Sequence, residues 1–283
     1  ISKGLNWNDL ETKQHTVVYL AGEGQRGIAR RISAWSYVNN TDLIDAPLLI
    51  SNRGARLLDQ NDHDNLKESL YEAEDTFGQI GMIIVDTLAR NFGAGNENST
   101  EDMNAFVERV DDLKNTFNSC ICLVHHTGHG ASNRARGSSV LPAAVDWEYK
   151  ITREDINGEM FVDLEQTLVK DGNNINPINF KFDVVNLPFD DSTSGALTRI
   201  TSEQKPRKKE LNDNDNKIYD FISQMQSLSE DPAAYSVKHN QIIEGTGLTK
   251  NIVNKSLKKL QESNKLQKNE YGYQTFKYDS KLF

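Results

Sequence analysis

The chain has 283 residues, of which 37% are hydrophobic and 26% charged, enough for a sizeable core in one large domain or two ordinary ones. No apolar run approaches the roughly 18 residues of a membrane span, residues 1–7 lack the apolar segment of a secretory leader, and Cys120 and Cys122 lie one residue apart, so neither a membrane anchor, secretion nor a disulfide framework is indicated and the cytoplasm is the expected location. The net charge of −9 speaks against nucleic acid on average, yet it divides into −13 before Lys205 (18 basic, 31 acidic) and +4 from Lys205 onward (14 basic, 10 acidic), an asymmetry that hints at a nucleic-acid-facing module in the second part.

Four short apolar runs come first: Val17-Val18-Tyr19-Leu20, Leu48-Leu49-Ile50, Met82-Ile83-Ile84-Val85 and Cys120-Ile121-Cys122-Leu123-Val124. Apolar runs this short, without polar alternation, describe strands buried on both faces of a parallel sheet. The helical period lies between them, as Leu66, Leu70, Ala73 and Phe77 before the third run and Phe106, Val110, Leu113 and Phe117 before the fourth. This β-α-β-α order predicts an α/β fold, a mostly parallel sheet with helices on both faces. Residues 161–164 and 178–185 read as further strands, the second alternating and therefore placed nearer an edge.

Residues 201–216 are polar, contain Pro206 and lack apolar periodicity, which predicts a linker between a domain of residues 1–200 and a second of residues 217–283. In the second domain, residues 217–225 read as a helix with Ile218, Phe221 and Ile222 inward, and residues 240–245 as another. Gly247 breaks that helix, and Thr249 can cap a third that runs to about Ser263 with Ile252, Val253, Leu257 and Leu260 on one face. Residues 265–268 and 274–278 then flank a turn containing Gly272 as a β-hairpin. Helix, helix-turn-helix and hairpin in this order is a winged helix.

Open parallel sheets gather ligands at the carboxyl ends of their strands, so the residues just past each apolar run are the candidates. They are Gly22-Glu23-Gly24 after the first, Asp86-Thr87 after the third and His125-His126-Thr127 after the fourth. An aspartate closing a buried strand has the form that holds Mg²⁺ through water beside nucleotide phosphates, although the same residue also caps ordinary turns. Glu23 projects from the sheet edge between two glycines, where it could polarise water, and the same tripeptide reads equally as a plain turn. His125 and His126 stand where a side chain can bond a terminal phosphate and report its loss, with a satisfied or solvent-facing pair as the competing reading. Structural zinc is disfavoured, because adjacent histidines on a strand point to opposite faces and no Cys or acid nearby completes a set.

The segment from Gly128 to Ser139 places Arg134 and Arg136 among glycines and small residues inside an acidic domain. Arginine donates bidentately to phosphate and glycine lets backbone amides approach, so this loop is expected to touch an anion, a solvated loop being the alternative. In a second loop, residues 91–102, Ser99 or Thr100 with Glu101 or Asp102 reads as a helix start. On the third C-terminal helix, Lys250, Asn251, Asn254, Lys255, Lys258 and Lys259 take the polar side on which a recognition helix presents groove-facing residues, and Lys265, Lys268 and Lys277 decorate the hairpin. A solvated face in a protein-binding module is the other reading.

The order Tyr19-Leu20-Ala21-Gly22-Glu23-Gly24, Ile83-Ile84-Val85-Asp86-Thr87-Leu88-Ala89-Arg90, Leu123-Val124-His125-His126-Thr127-Gly128 and Arg136-Gly137-Ser138-Ser139 resembles the RepA-like hexameric replicative helicases, RecA-fold ATPases of phages, plasmids and other mobile elements. The likeness covers about residues 15–150. It implies ATP and Mg²⁺ as cofactors, with Glu23 as the water-activating glutamate, Asp86 as the Walker B aspartate that holds Mg²⁺ through water, and His125 or His126 as the γ-phosphate sensor. Thr87, Arg134 and Arg136 would then touch nucleotide, and the two arginines lie in the loop that contacts DNA or a neighbouring subunit's nucleotide. It further implies a homo-hexameric 5′-to-3′ DNA motor on single-stranded DNA; the winged helix, outside the likeness, is expected to dock on duplex DNA through Lys250, Lys255, Lys258 and Lys259.

Two departures from the family pattern shape the expectation. The phosphate-cradling Gly-x-x-x-x-Gly-Lys-Ser/Thr loop that should precede Glu23 does not occur in the chain, and an arginine finger expected after Arg136-Gly137-Ser138-Ser139 aligns with Asp146. A domain truncated ahead of Glu23 is expected to turn over little ATP by itself. A second function, from a different class, is a non-catalytic DNA-binding initiator or regulator built on a degenerate RecA-like scaffold.

Overall fold

The structure, a computed structural model, describes residues 1–7, 10–127, 138–188, 191–206, 211–263 and 265–275. Its contacts gather the chain into two units, one of Ile1–Tyr149, Gln166–Ile175 and Val184–Ala196, the other of Lys150–Glu165, Asn176–Asp183 and Leu197–Phe283.

The first unit is built on β1 (Thr16–Ala21), α1 (Gln25–Val38), β2 (Leu48–Ile50), α2 (Gln60–Phe77), β3 (Ile80–Asp86), α3 (Leu88–Asn91), α4 (Thr100–Phe117), β4 (Cys120–Val124) and α5 (Val140–Ala144). The four strands form one parallel sheet in the order β2-β1-β3-β4. Each apolar run became a strand with bounds within two residues of those expected. Alternate side chains Val18, Leu20, Ile83 and Val85 join Leu70 and Ala73 of α2 and Met103, Phe106, Leu113 and Phe117 of α4 in one buried cluster. Phe77 departs from the expected helix face: it ends α2 and is 51% exposed. Ser99 caps α4 by accepting from the Asp102 amide at 3.3 Å, as its sequence suggests. Asp112 of α4 binds His63 Nε2 at 2.8 Å and Lys67 Nζ at 2.9 Å, tying α4 to α2 and holding its carboxyl below the usual carboxylate range. In helix α1, Ile28 and Ala34 are buried, Ala34 in a smaller cluster with Leu187 and Ala196.

The remaining strands do not extend the parallel sheet. β5 (Trp147–Ile156), β6 (Glu159–Val169), β7 (Ile178–Asn186) and β8 (Thr193–Ile200) form a separate sheet in the order β5-β6-β7-β8, with β6 and β7 antiparallel. The segment expected near an edge, β7, is therefore an inner strand. Asn157 and Gly158, both with positive φ, make the two-residue turn between β5 and β6. Within the second unit, Lys205 pairs with Asp163 and lies 2.8 Å from Glu154, fastening the segment after β8 onto this sheet.

The second unit ends in α6 (Asp213–Ser227), α7 (His239–Thr246), α8 (Lys250–Glu262) and the antiparallel pair β9 (Leu266–Lys268) and β10 (Tyr273–Thr275). Helix α6 starts four residues before the expected position, inside the stretch read as linker, because Asn212 and Asp215 form a reciprocal capping box. Ile218, Ile222, Val237, Ile242, Val253, Leu257, Leu260, Leu266 and Tyr273 make its core. Ile252, expected in that core, is 37% exposed. Thr249 precedes α8 without a capping hydrogen bond from its side chain, and Gly247 closes α7 in the left-handed conformation. Val237 bridges Tyr273 and adds a third short extended segment beside the hairpin.

Candidate active site

The register of the parallel sheet aligns Ala21 with Asp86 and Asp86 with Val124, so the segments beginning at Gly22, Thr87 and His125 leave neighbouring strand tips. Gly22 donates its amide to the Asp86 carbonyl at 2.6 Å. A Cβ on Gly22 would fall 2.3 Å from the Cβ of Arg90, so only glycine lets β1 turn this closely against the start of α3. Gly24, with φ of 60°, then turns the chain into α1.

This tight turn delivers Glu23 to the end of β3. Glu23 Oε1 accepts from Arg90 Nε at 3.2 Å and from the Thr87 hydroxyl at 3.4 Å. Asp86 Oδ2 accepts from the Tyr19 hydroxyl, and burial followed by this bond to the carboxylate pushes the Tyr19 hydroxyl well above its ordinary value. Tyr19 therefore stays a protonated donor that orients the Asp86 carboxylate. Behind these groups sits Asn91, fully buried: its Nδ2 donates to the Thr87 carbonyl at 2.9 Å and its Oδ1 accepts from the Ala55 amide at 2.8 Å. Ser51 Oγ accepts from the Ala21 amide at 2.9 Å. The tips of β1, β2 and β3 are thus tied together by side chains.

Of the sequence candidates, Glu23, Asp86 and Thr87 converge. His125 follows β4 at the adjacent tip and is half-buried, while His126 is exposed. Arg134 and Arg136 lie outside the described residues. Asp146, at the position of the expected arginine finger, is 3.9 Å from Lys170 Nζ. Tyr19, Arg90, Asn91 and Ser51 were not singled out as site residues. Tyr19 carried a signal, a hydroxyl inside an otherwise apolar strand, and Arg90 stood one helical turn past Asp86. Asn91 and Ser51 carried none. Among the described residues no group of three or more His, Cys, Asp or Glu side chains is placed to hold a metal ion. The residues present fit Mg²⁺ only in the mode of one carboxylate plus water, with Asp86 as the holder.

Replacing Gly22 with Ala is expected to destabilise the first unit by about 1–3 kcal/mol, because the clash is with the stem of Arg90 rather than its mobile end. Chemical denaturation monitored by circular dichroism measures it; an unchanged midpoint would contradict the close approach.

At the other end of the chain, Lys250, Lys255 and Lys258 are exposed on α8, as are Asn251 and Asn254. Lys259 is not part of that face. Its ammonium is drawn inward to the Asp215 carboxylate, whose side chain is 1% exposed, so Lys259 belongs to the interior of the module and is unsuited to contact DNA. Helical spacing alone put Lys259 beside Lys255, whereas the buried acid on α6 decides its direction. Lys277 lies outside the described residues. No helix among the described residues is long and apolar enough to cross a membrane.

Residues 1–132 match the family model described as an AAA domain. Among solved structures, the chain is similar to the flagellar accessory protein FlaH from Methanocaldococcus jannaschii, with a TM-score of 0.43 and 11% identity over 66% of this chain and 77% of that one. No curated protein matches the chain.

Proposed function

We propose that the chain is the body of an ATP-dependent DNA motor of the RepA-like replicative helicase type, acting in the cytoplasm as a homo-hexamer on single-stranded DNA. The observation that carries this reading is the meeting of Glu23, Thr87 and Asp86 at adjacent strand tips, two carboxylates with different partners. Glu23, half-exposed, is the group to take a proton from an attacking water. Asp86, oriented by Tyr19, is the group to hold the water shell of Mg²⁺, which when bound neutralises charge on the transferring phosphoryl group. His125, with His126 beside it, is the sensor of the terminal phosphate. Residues 1–200 form the motor, residues 201–216 its connection, and α6, α7, α8 and the hairpin a winged helix on duplex DNA with Lys250, Lys255 and Lys258 outward.

The family model matched by residues 1–132 supports nucleotide use. A second reading is a non-catalytic DNA-binding initiator or regulator on a degenerate RecA-like scaffold. ATP hydrolysis separates the two. It is measured for this chain and for the full-length gene product, each with and without Glu23→Gln.

The acidic first part repels phosphate except where Arg134 and Arg136 lie. Replacing both by Ala is expected to lower the slope of log K against log salt for single-stranded DNA by about 1.4, or 0.7 per lost phosphate contact. A slope equal to that of the unmodified chain would assign DNA contact to other residues.

A further inference from the structure

An open cleft in the second unit shares Asn254 and Lys268 with the faces of α8 and the hairpin described above, and its other lining groups have no role so far. It lies where the start of α7 and the exposed side of α8 face the turn between β9 and β10, has a volume of about 560 Å³, and is lined in part by Lys238, His239, Asn254, Lys268, Glu270 and Tyr271. Cavities of roughly 300–1,000 Å³ hold one compact ligand. A duplex, with a major groove about 12 Å wide, would ride over such a cleft without entering it.

Its most telling feature is the turn. Tyr271 is 66% exposed, yet the backbone presenting it is fixed. Asn269 Oδ1 accepts from the amides of Tyr271 and Gly272, each at 2.9 Å, and Asn269 Nδ2 donates to Ser236 Oγ at 2.9 Å. Gly272 passes so close to Val237 that a Cβ there would meet its carbonyl oxygen at 2.4 Å. An aromatic ring held out on a rigid turn contributes little to the core and is a ready stacking surface that pays little ordering entropy on binding.

The flanking groups agree with that surface. Lys238 and Lys268 are exposed, and His239 Nε2 lies 2.7 Å from Asn254 Oδ1, which leaves the Asn254 amide nitrogen to donate elsewhere. Two cations bordering an aromatic ring match a strand whose phosphates lie outside and whose base turns in. Glu270, beside Tyr271, opposes the paired phosphate rows of a duplex but can accept from the hydrogen-bonding edge of an unpaired base.

We propose that this cleft binds single-stranded nucleic acid, stacking an unpaired base on Tyr271 with its flanking phosphates on Lys238 and Lys268. The proposal rests on the reading of this unit as a nucleic-acid-binding module and narrows it from duplex to single strand at this site. The test is fluorescence anisotropy of the 283-residue chain with Arg134→Ala and Arg136→Ala, which removes the other expected single-strand contact. The probes are a fluorescein-labelled 12-nucleotide oligothymidylate and a 12-base-pair duplex.

Tyr271→Ala is expected to weaken oligothymidylate binding about tenfold, in line with the loss of one stacked base, while Tyr271→Phe retains it. Lys238→Ala with Lys268→Ala is expected to lower the single-strand salt slope by about 1.4. Equal oligothymidylate affinity in Tyr271→Ala, with circular dichroism unchanged, would overturn the cleft while leaving duplex binding by α8 intact. Equal losses for the two probes would overturn the single-strand preference. Binding of neither probe by the starting protein would remove the nucleic-acid reading of the whole unit.

Discussion

Lys259→Met is expected to cost the C-terminal helices about 3–5 kcal/mol, the penalty for leaving a buried carboxylate without its cation. Asp215 is 1% exposed at its side chain and sits in the first turn of α6, where it also accepts from the Asn212 amide at 2.9 Å. Burial works to raise the Asp215 carboxyl, but the Lys259 ammonium, the Ser256 hydroxyl and the Asn212 amide outweigh it and leave it below the usual carboxylate range. A carboxyl lowered by folding stabilises fully above its unfolded value of about 3.9 and loses that contribution as pH falls through the lower folded value. Stability of the unmodified chain should therefore decline below about pH 4 in part through this residue. Urea unfolding followed by circular dichroism measures the variant. Asp215→Asn added to Lys259→Met should recover part of the loss, since the unpaired charge is then gone. A Lys259→Met midpoint within error of the parent would mean that the pair is not closed in solution.

Glu23→Gln in the full-length gene product is expected to lower ATP turnover by about 10²–10⁴-fold, the usual contribution of a positioned general base. Glutamine keeps the size of the side chain and can still accept from Arg90 and Thr87, so the fold and nucleotide binding should survive. The paired measurement is nucleotide affinity, expected to change little, since the group is required only as the water attacks. Undiminished turnover in Glu23→Gln would exclude Glu23 as the base and favour the scaffold reading. Brisk turnover by the 283-residue chain alone would show that it binds phosphates without a glycine-rich lysine loop.

The parallel sheet was legible because its strands are short apolar runs, although burial on both faces holds for β1 and not for β4, which leaves Cys120 and Cys122 exposed. Glu23 and Asp86 were legible for the same reason: a charged side chain ending such a run has nowhere to go but the tip. Of the second sheet, β6 and β7 were legible as residues 161–164 and 178–185, but β5 was not, because residues 147–156 alternate and mix aromatic with charged side chains, although Asn157-Gly158 is a strong hairpin signal in its own right. Lys259 shows the limit of helical spacing, which fixes an angle around α8 but not what approaches from α6. Asn91 could not be found from local pattern, since besides the nearby Thr87 its partners are Ala55 and Leu57, which are more than thirty positions away and meet it only in the folded chain.

The outer strand β4 carries the chain's only two thiols, Cys120 and Cys122, both exposed, the latter three positions before His125. At about 3.3 Å per residue that is on the order of 10 Å along the strand. The protein thus comes with its own attachment point for a spectroscopic reporter: with Cys120→Ser, a maleimide dye or spin label on Cys122 would respond to whatever occupies the tip at His125, without a cysteine having to be introduced anywhere else.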